Sequence, residues 1–416
     1  MKITTFNAFR SRNYRLFFSG QSVSLMGTWM QRTAVYWIIY VQTHSAFMLG
    51  LGVFAIQFPA FLFSLLGGAV ADKYSKYKVL LITQILSMVQ AVILTAVVLF
   101  TDYTVTEVLT LSVMLGIINA FDVPARQSLV HFMVDDKKDL GNAIALNSSM
   151  VNLARLIGPA IAGILLEEVG AGLCFLLNAA SFMAVIISLL MMRLPAYIPP
   201  ANTPRIMEGL KQGMSYLKSV PSIGMLVLFL ALSSFFVLPY DTLFSVVAKT
   251  TLNGDASTFG YLNSFTGIGA FAGAVFLASL RVGTNLKKLL ISAAIIMGLA
   301  LIVFSQTYVL FFALAVAAVI GFSRMFLITL SNTILQTTTS QEMRGRVLSY
   351  FAMSLFGMNP LGALMIGSVS QYAGSSVTFL VQGGIALLIA AVFFPYFWKG
   401  KNGMAKEIHF TGDNGH

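Results

Sequence analysis

Apolar residues in this chain come in long unbroken runs, not in strict alternation and not as one narrow helical stripe. Twelve such runs follow one another, near 14–41, 47–71, 78–100, 105–130, 140–166, 172–193, 222–247, 257–280, 287–305, 308–333, 346–371 and 376–398. About 20 apolar residues suffice to cross a bilayer as a helix. The pattern therefore predicts an all-α membrane protein with twelve transmembrane helices. The polar exceptions inside the runs fall at helical spacing. They are Gln21, Ser24, Thr28, Gln31 and Arg32 in the first run, and Ser112, Gly116, Asn119, Asp122 and Arg126 in the fourth. The fifth carries Ser148, Asn152 and Arg155, and the seventh Ser234, Asp241 and Ser245. An ionisable residue at the bilayer centre costs ~2.5–3.5 kcal/mol on insertion scales. Arg32, Asp122, Arg155, Asp241 and Arg324 are thus expected to face water or one another. Asp122 and Arg126 are four apart and suit an ion pair, and Arg32 is a candidate partner for Asp241. No acid in its own helix is available to Arg324.

Composition sharpens this picture. Hydrophobic residues make up 57% and charged residues 10% of the 416, too apolar for a soluble domain of this size to bury. Soluble enzymes, nucleic-acid binders and disordered proteins are poor readings. The net charge of +11 reflects where Lys and Arg sit. Arg10, Arg12, Arg15, Lys73, Lys76, Lys78, Lys137, Lys138, Arg193, Arg281, Arg344 and Arg346 flank the runs on one side, and Lys249 lies on the other. By the positive-inside rule both termini are cytoplasmic. The first run holds Gln21, Gln31 and Arg32 and lacks an A-x-A site, so it reads as an uncleaved helix, not a secretory signal. Cys174 is the single cysteine, and His44, His131, His409 and His416 form no metal constellation. No metal or cofactor is expected, and no phosphate-cradling G-x4-G-K-[ST] loop is present.

The longest connection carries Pro195, Pro199, Pro200 and Pro204, followed by an amphipathic stretch from Arg205 to Lys218. It divides the chain into a six-helix half (1–200), a cytoplasmic linker with an amphipathic helix (201–220), a second six-helix half (221–398) and a cytoplasmic tail (399–416). Gly116–Val130 aligns without gaps on Gly321–Leu335, which sets Asn119 opposite Arg324. Each half later holds a Gly- and Pro-bearing helix, Gly158-Pro159 in the first and Pro360-Leu361-Gly362 in the second. Two six-helix halves related by a repeat point to a transporter that binds its cargo between them near the midplane.

After the second run the chain reads Gly68-Ala69-Val70-Ala71-Asp72-Lys73-Tyr74-Ser75-Lys76-Tyr77-Lys78. This resembles the loop motif of the major facilitator superfamily, G-x3-D-[RK]-x-G-[RK]-[RK], with Ser75 in place of Gly and Tyr77 in place of a basic residue. Gly27-Thr28-Trp29-Met30-Gln31, Phe121-Asp122-Val123-Pro124-Ala125-Arg126-Gln127, Asn142-Ala143, Gly158-Pro159-Ala160-Ile161-Ala162-Gly163 and Arg344-Gly345-Arg346-Val347 narrow the likeness. Together they resemble the branch that holds the enterobactin exporter and macrolide-efflux proteins. The fifth-helix run is also similar to the superfamily's antiporter motif, although Ala145 and Ala154 stand for its upstream glycines. Where many drug–proton antiporters carry an Arg in the fourth helix, this chain has Ser112, Val113 and Met114.

The resemblance implies a two-half fold whose helices 1, 4, 7 and 10 line a cavity, helped by 2, 5, 8 and 11. It implies a gate built on Gly68, Asp72, Lys73 and Lys76, with Asp72 facing the eleventh helix's N-terminus. Arg126, Gly158, Pro159, Arg344 and Arg346 would belong to the same moving parts. Cavity candidates are Gln31, Arg32, Tyr36, Asn119, Asp122, Arg155, Tyr240, Asp241 and Arg324. Trp29 and Phe236 lie near the same stripes. The expected activity is proton-coupled export of a small anionic or amphipathic molecule from a bacterial cytoplasmic membrane, with Asp122 or Asp241 as proton carrier. Three cavity arginines against two aspartates favour an anionic, siderophore-like cargo. Multidrug or macrolide efflux and lysophospholipid transport are alternatives. A polytopic membrane enzyme is remote, since no H-x4-D, paired His or H-E-x-x-H occurs. The expected partners are the small-molecule cargo, protons and lipids, with no nucleic acid, and the protein is expected to be a monomer.

Overall fold

The computed structural model describes residues 6–194, 206–281 and 283–398. Pro195, Pro199, Pro200 and Pro204 of the long connection and the whole tail 399–416 lie outside them. The described residues are helical or in turns, without a strand. The membrane-length elements are α1 (Arg12–Thr43), α2 in two pieces (Ala46–Leu62 and Ser64–Lys73), α3 (Lys76–Phe100), α4 (Val105–Leu129), α5 (Leu140–Glu168) and α6 (Ala171–Leu190). A linker helix, Ile206–Ser219, precedes α7 (Pro221–Thr251), α8 (Ala256–Ala278), α9 (Leu286–Ser305), α10 (Leu310–Thr338), α11 (Gln341–Ala373) and α12 (Ser375–Trp398). Ten of these are long and apolar enough to cross a membrane, and the bent pair forming α2 makes eleven. Helix α1 is 32 residues long, and Arg12, Arg15, Arg32 and its polar stripe dilute its apolar content.

The interior is largely apolar, but the polar residues of the spans turn into it while long apolar stripes face outward. On α3, Ile82, Leu86, Val89 and Ile93 are exposed at spacings of four, three and four, while Thr83, Ser87 and Gln90, one helical step of about 100° round, are buried. Lipid tails solvate the apolar stripe, and the polar stripe finds partners inside.

The chain packs as two compact units. The first comprises Met1–Thr203 with Leu243–Gly267, and the second Pro204–Thr242 with Ile268–His416. In the first unit, Pro59 leaves backbone carbonyls of α2 without an amide partner. The helix bends by 44° between its two pieces, and Gly116 of α4 lies against Ile56 O, where a Cβ would come within 2.5 Å. Helix α5 approaches its neighbours through glycine as well. A Cβ on Gly158 would lie 2.6 Å from Trp29 Cβ, and one on Gly163 would lie 3.0 Å from Gly260 Cα. The Ser264 hydroxyl donates to Leu156 O at 3.0 Å along the same seam. Helix α8 begins beside Asp255, whose Oδ1 accepts from the Ser257 hydroxyl at 2.6 Å and from Thr258 N at 3.1 Å. The Ser257 bond above all holds the Asp255 carboxyl below the usual carboxylate range, against a smaller upward push from burial.

In the second unit α7 is broken. Its α-helix ends at Phe236, and Leu238–Leu243 continues as a 3-10 turn with Pro239 at φ −80°, ψ 21°. Gln382 of α12 donates Nε2 to Phe236 O at 3.3 Å, taking up a carbonyl that the break releases. The linker helix seats on α11, where the Tyr350 hydroxyl donates to Leu210 O at 2.9 Å and Gly213 leaves room for the Tyr350 ring.

Candidate functional site

The interior charges settle into three groups. The first is built on Asp122 of α4, which is 5% exposed. Its Oδ1 accepts from Thr83 Oγ1 at 3.0 Å and Gln84 Nε2 at 2.6 Å, and its Oδ2 from Arg126 Nε at 3.2 Å. The i,i+4 pair expected from spacing is present. Thr83 and Gln84 were not among the sequence candidates, because α3 is not a cavity-lining helix of the resembled family. The inward stripe Thr83, Gln84, Ser87, Gln90 was the available signal. Three donors orient this carboxylate and tie α3 to α4.

The second group lies in the second unit. Arg324 sits at the midpoint of α10, ~21 Å from either helix end at 1.5 Å per residue. Its Nη1 donates to Asp241 Oδ2 at 3.0 Å, and its guanidinium carbon lies 5.7 Å from the Tyr240 ring centroid. The acid that helix α10 itself could not offer Arg324 is supplied by α7, 83 residues away. The break at Pro239 places Tyr240 and Asp241 on a 3-10 turn, which redirects both side chains from the positions an unbroken helix would give them. Ser234 Oγ, Thr242 Oγ1, Gln382 Oε1 and Arg324 Nε are buried without a hydrogen-bond partner among the described residues. Ser234 and Thr242 flank the break in sequence, and Gln382 is bonded to it. Gln382 was invisible in the sequence because α12 carries no charge to mark it.

The third group belongs to the first unit. The guanidinium carbons of Arg32 and Arg155 lie 4.8 Å and 5.6 Å from the Trp29 ring centroid. Each is attracted to the ring's negative face, and together they are no more than about 10 Å apart. Two like charges at that distance repel by about 1.7 kcal/mol at an effective dielectric constant of 20. Arg155 is ~20 Å from the nearer end of α5 and Arg32 ~16 Å from the nearer end of α1. Both are half-buried. Among the described residues Arg32 has no carboxylate within 4.0 Å. Gly158 makes this arrangement possible, since its missing side chain lets α5 come against Trp29 and Met26 O.

The other candidates separate. Gln31 is 2% exposed and turned away from this group. It accepts from Asn178 Nδ2 at 2.7 Å and donates to Gln90 Oε1 at 3.1 Å, and Gln90 donates to Leu111 O at 3.2 Å. It is a core amide that ties α1, α3, α4 and α6 together, a correction to its assignment as a cavity residue. Asn119 and Tyr36 are half-buried, and Tyr240 is fully buried. Among the motif residues, Asp72 and Lys73 are exposed at the end of α2, and Lys76 Nζ lies 5.8 Å from the Phe132 ring centroid. The close helix approach on α2 is made by Gly67, next to the motif's Gly68. A Cβ there would run into Ala120 O of α4, whereas Gly68 faces open space. Pro159 is buried within α5, Arg344 is exposed, and Arg346 Nη1 donates to Met343 Sδ at 3.0 Å. Among the described residues no group of three His, Cys, Asp or Glu could hold a metal.

The profile of the transmembrane secretion effector family matches residues 3–408. The chain belongs to that family, a branch of the major facilitator superfamily. It is 27% identical to the staphyloferrin A transporter of Staphylococcus aureus over 386 residues, covering 91% of this chain and 95% of that protein. It is 23% identical to the multidrug efflux pump Tap of Mycolicibacterium fortuitum, covering 86% and 90%. It is also 22% identical to macrolide efflux protein A of Streptococcus pyogenes, covering 93% and 96%. The fold is similar to solved carriers. A nucleoside transporter superposes with a TM-score of 0.75 at 13% identity, covering 93% of this chain and 99% of that one. A bacterial homologue of the lysosomal transporter Spinster superposes with 0.72 at 15%, covering 94% and 99%. The chain is a multi-pass membrane transporter of an exporter branch, whose members move small molecules and are not enzymes.

Proposed function

We propose that this protein is a secondary exporter of small anionic or amphipathic molecules, siderophore-like in charge, in a bacterial cytoplasmic membrane with both termini cytoplasmic. The observation that carries the anionic reading is the disposition of interior charge. Asp122 is saturated by Thr83, Gln84 and Arg126, and Asp241 is committed to Arg324. Arg32 and Arg155 share Trp29 at mid-helix. Relatives named as a siderophore transporter and as efflux pumps support export.

Protons are the coupling ion in this reading, and Asp241 is the better carrier of the two aspartates. Its side chain is 37% exposed and receives one arginine bond, whereas the Asp122 side chain is 6% exposed and holds three donors. Protonating Asp241 releases Arg324 and costs the network one bond. Protonating Asp122 removes the counter-charge of Arg126 and disturbs a carboxylate that also accepts from Thr83 and Gln84. A drug-efflux reading is favoured by one observation, the half-buried ladder Phe54–Phe58–Phe61 on α2, with centroids 4.5 Å and 6.3 Å apart, which suits flat apolar cargo.

Uptake into inverted vesicles tests both readings. A siderophore-type anion should accumulate only under an imposed pH gradient and should reach the lumen chemically unchanged. Accumulation of macrolides but not anions would select the drug reading. Accumulation indifferent to a protonophore would remove protons from it. Comparing secreted small molecules of a knockout strain and its parent under iron limitation provides the cellular counterpart.

A further inference from the structure

We infer that the corner where α1 begins and α6 ends is a binding site for one anionic phospholipid of the leaflet on the arginine-rich side of the membrane. Arg12, Arg15 and Arg193 take the phosphate, and an apolar strip beside the α1–α6 seam takes an acyl chain. The site goes beyond the export reading and is independent of the cargo.

The corner is fixed from both sides. Asn13 Nδ2 donates to Arg193 O at 2.8 Å, and Arg193 N donates to Asn13 Oδ1 at 3.0 Å. The backbone of Arg193 is thereby tied to the first turn of α1. The segment before α1 is tied as well, because Ala8 N donates to Asn142 Oδ1 at 3.0 Å and Asp135 N donates to Ser11 Oγ at 2.9 Å. Arg10, Arg12, Arg15 and Arg193 are exposed around this corner. Among the described residues none of the four has a carboxylate within 4.0 Å. The adjoining loop sets Asp135, Asp136 and Asp139 against Lys137 and Lys138 and leaves the excess of positive charge standing. A guanidinium fork matches two phosphate oxygens, and anionic headgroups are drawn to basic clusters at the end of a transmembrane helix.

The seam supplies the rest of the lipid's outline. Gly20 of α1 lies against Ser188 of α6, where a Cβ would collide with the serine side chain. The two helices are antiparallel, and this contact sets Arg15 level with Arg193. Counting about 100° per residue from it, Arg12, Ser19 and Val23 on α1 and Ile187 and Met191 at the end of α6 turn to the same side of the seam. All five are exposed. Val23 lies ~16 Å from Arg12 along α1, about half of the ~30 Å hydrocarbon core. The acyl chain of one leaflet therefore fits along Val23, Ile187 and Met191 with its phosphate at the arginines. A basic helix end without such a strip would attract headgroups only diffusely.

The test is native mass spectrometry of the purified full-length protein titrated with dioleoyl phosphatidylglycerol. Phosphatidylcholine with the same chains is the lipid without net charge, and glycerol 3-phosphate is the headgroup without chains. The first phosphatidylglycerol should bind at least about tenfold more tightly than either. Arg12→Gln, Arg15→Gln and Arg193→Gln should each weaken it about fivefold, the scale of one basic residue near an anionic headgroup, and should leave phosphatidylcholine unchanged. Lys211→Gln combined with Lys218→Gln, both exposed on the linker helix of the second unit, should leave phosphatidylglycerol binding unchanged, which separates a built corner from a generally basic face. Should the arginine variants not fold, Asn13→Ala carries the test, since it keeps every charge, releases Arg193 and should still weaken phosphatidylglycerol. Equal retention of the two phospholipids, equally tight binding of glycerol 3-phosphate, phosphatidylglycerol unmoved in the arginine variants or in their Asn13→Ala stand-in, or an equal loss in the lysine pair would overturn the inference. The export reading fails separately, through absence of gradient-driven accumulation by the wild-type protein.

Discussion

Replacing Asp241 with Ala removes the acid and leaves Arg324 at the centre of α10. The pair's bond is 3.0 Å, with the Arg324 side chain 16% and the Asp241 side chain 37% exposed. At an effective dielectric constant of 20 the gross attraction of opposite charges about 4 Å apart is about 4 kcal/mol. Desolvation offsets much of that, and a hydrogen bond between charged groups is worth ~1.5–3 kcal/mol net. Water reaching the exposed part of Asp241 places the pair toward the lower end of that range. Removing the acid also strands a guanidinium whose Nε already lacks a partner, and stranding one member of a fully buried pair costs ~3–5 kcal/mol. For this partly wetted pair we expect Asp241→Ala to lose about 2–3 kcal/mol. Arg324→Leu alone should lose about 1 kcal/mol or less, because it removes an expensive group along with its bond. The sign of the double variant is the decisive quantity. Adding Arg324→Leu to Asp241→Ala should recover stability, with a coupling energy of about 1.5–2 kcal/mol. Equilibrium unfolding by SDS in mixed micelles, followed by far-UV circular dichroism, measures all four corners of the cycle. A double variant less stable than Asp241→Ala, or a coupling below about 0.5 kcal/mol, would refute the reasoning and return Arg324 to the candidates whose only counter-charge is the cargo.

Asp122→Ala should be the most damaging single change among the interior acids, about 3 kcal/mol or more by the same unfolding assay, since it strands Thr83, Gln84 and Arg126 together. Asp122→Asn should recover part of that loss. Gly158→Leu should cost about 1–3 kcal/mol by the same assay through overpacking against Trp29 and Met26. Gly141→Ala on the same helix, where a Cβ meets nothing within 4 Å, should not. The Asp255 cap should be intact at neutral pH and lost as pH falls through its depressed pKa. Hydrogen exchange at the Thr258 amide should therefore accelerate in acid. Asp255→Asn should flatten that pH dependence, and Asp255→Ala should cost about 1 kcal/mol at neutral pH.

Hydropathy runs and loop chemistry, read along the chain, already placed the helices. The expected run 140–166 is α5 at Leu140–Glu168, and 287–305 is α9 at Leu286–Ser305. This works because a backbone in hydrocarbon must satisfy its hydrogen bonds locally, which makes apolar length and helix nearly equivalent. The sequence also identified which residues carry interior charge, because each is a local departure from an apolar background. It paired Asp122 with Arg126, since four residues make one helical turn.

Tertiary structure decided everything that depends on which helix faces which. Arg324 meets Asp241 across 83 residues, and no periodicity within α10 could have named that acid. Gln31 and Arg32 are adjacent in sequence, yet one ties up the core through Asn178 and Gln90 and the other lies over Trp29, because one helical step turns a side chain by about 100°. The same step separates Gly67, packed against Ala120 O, from Gly68, which faces open space. The break at Pro239 and the grouping of Leu243–Gly267 with the first unit depend on packing against neighbours. A helical pattern specifies faces, and the identity of the opposing surface is a property of the folded chain alone.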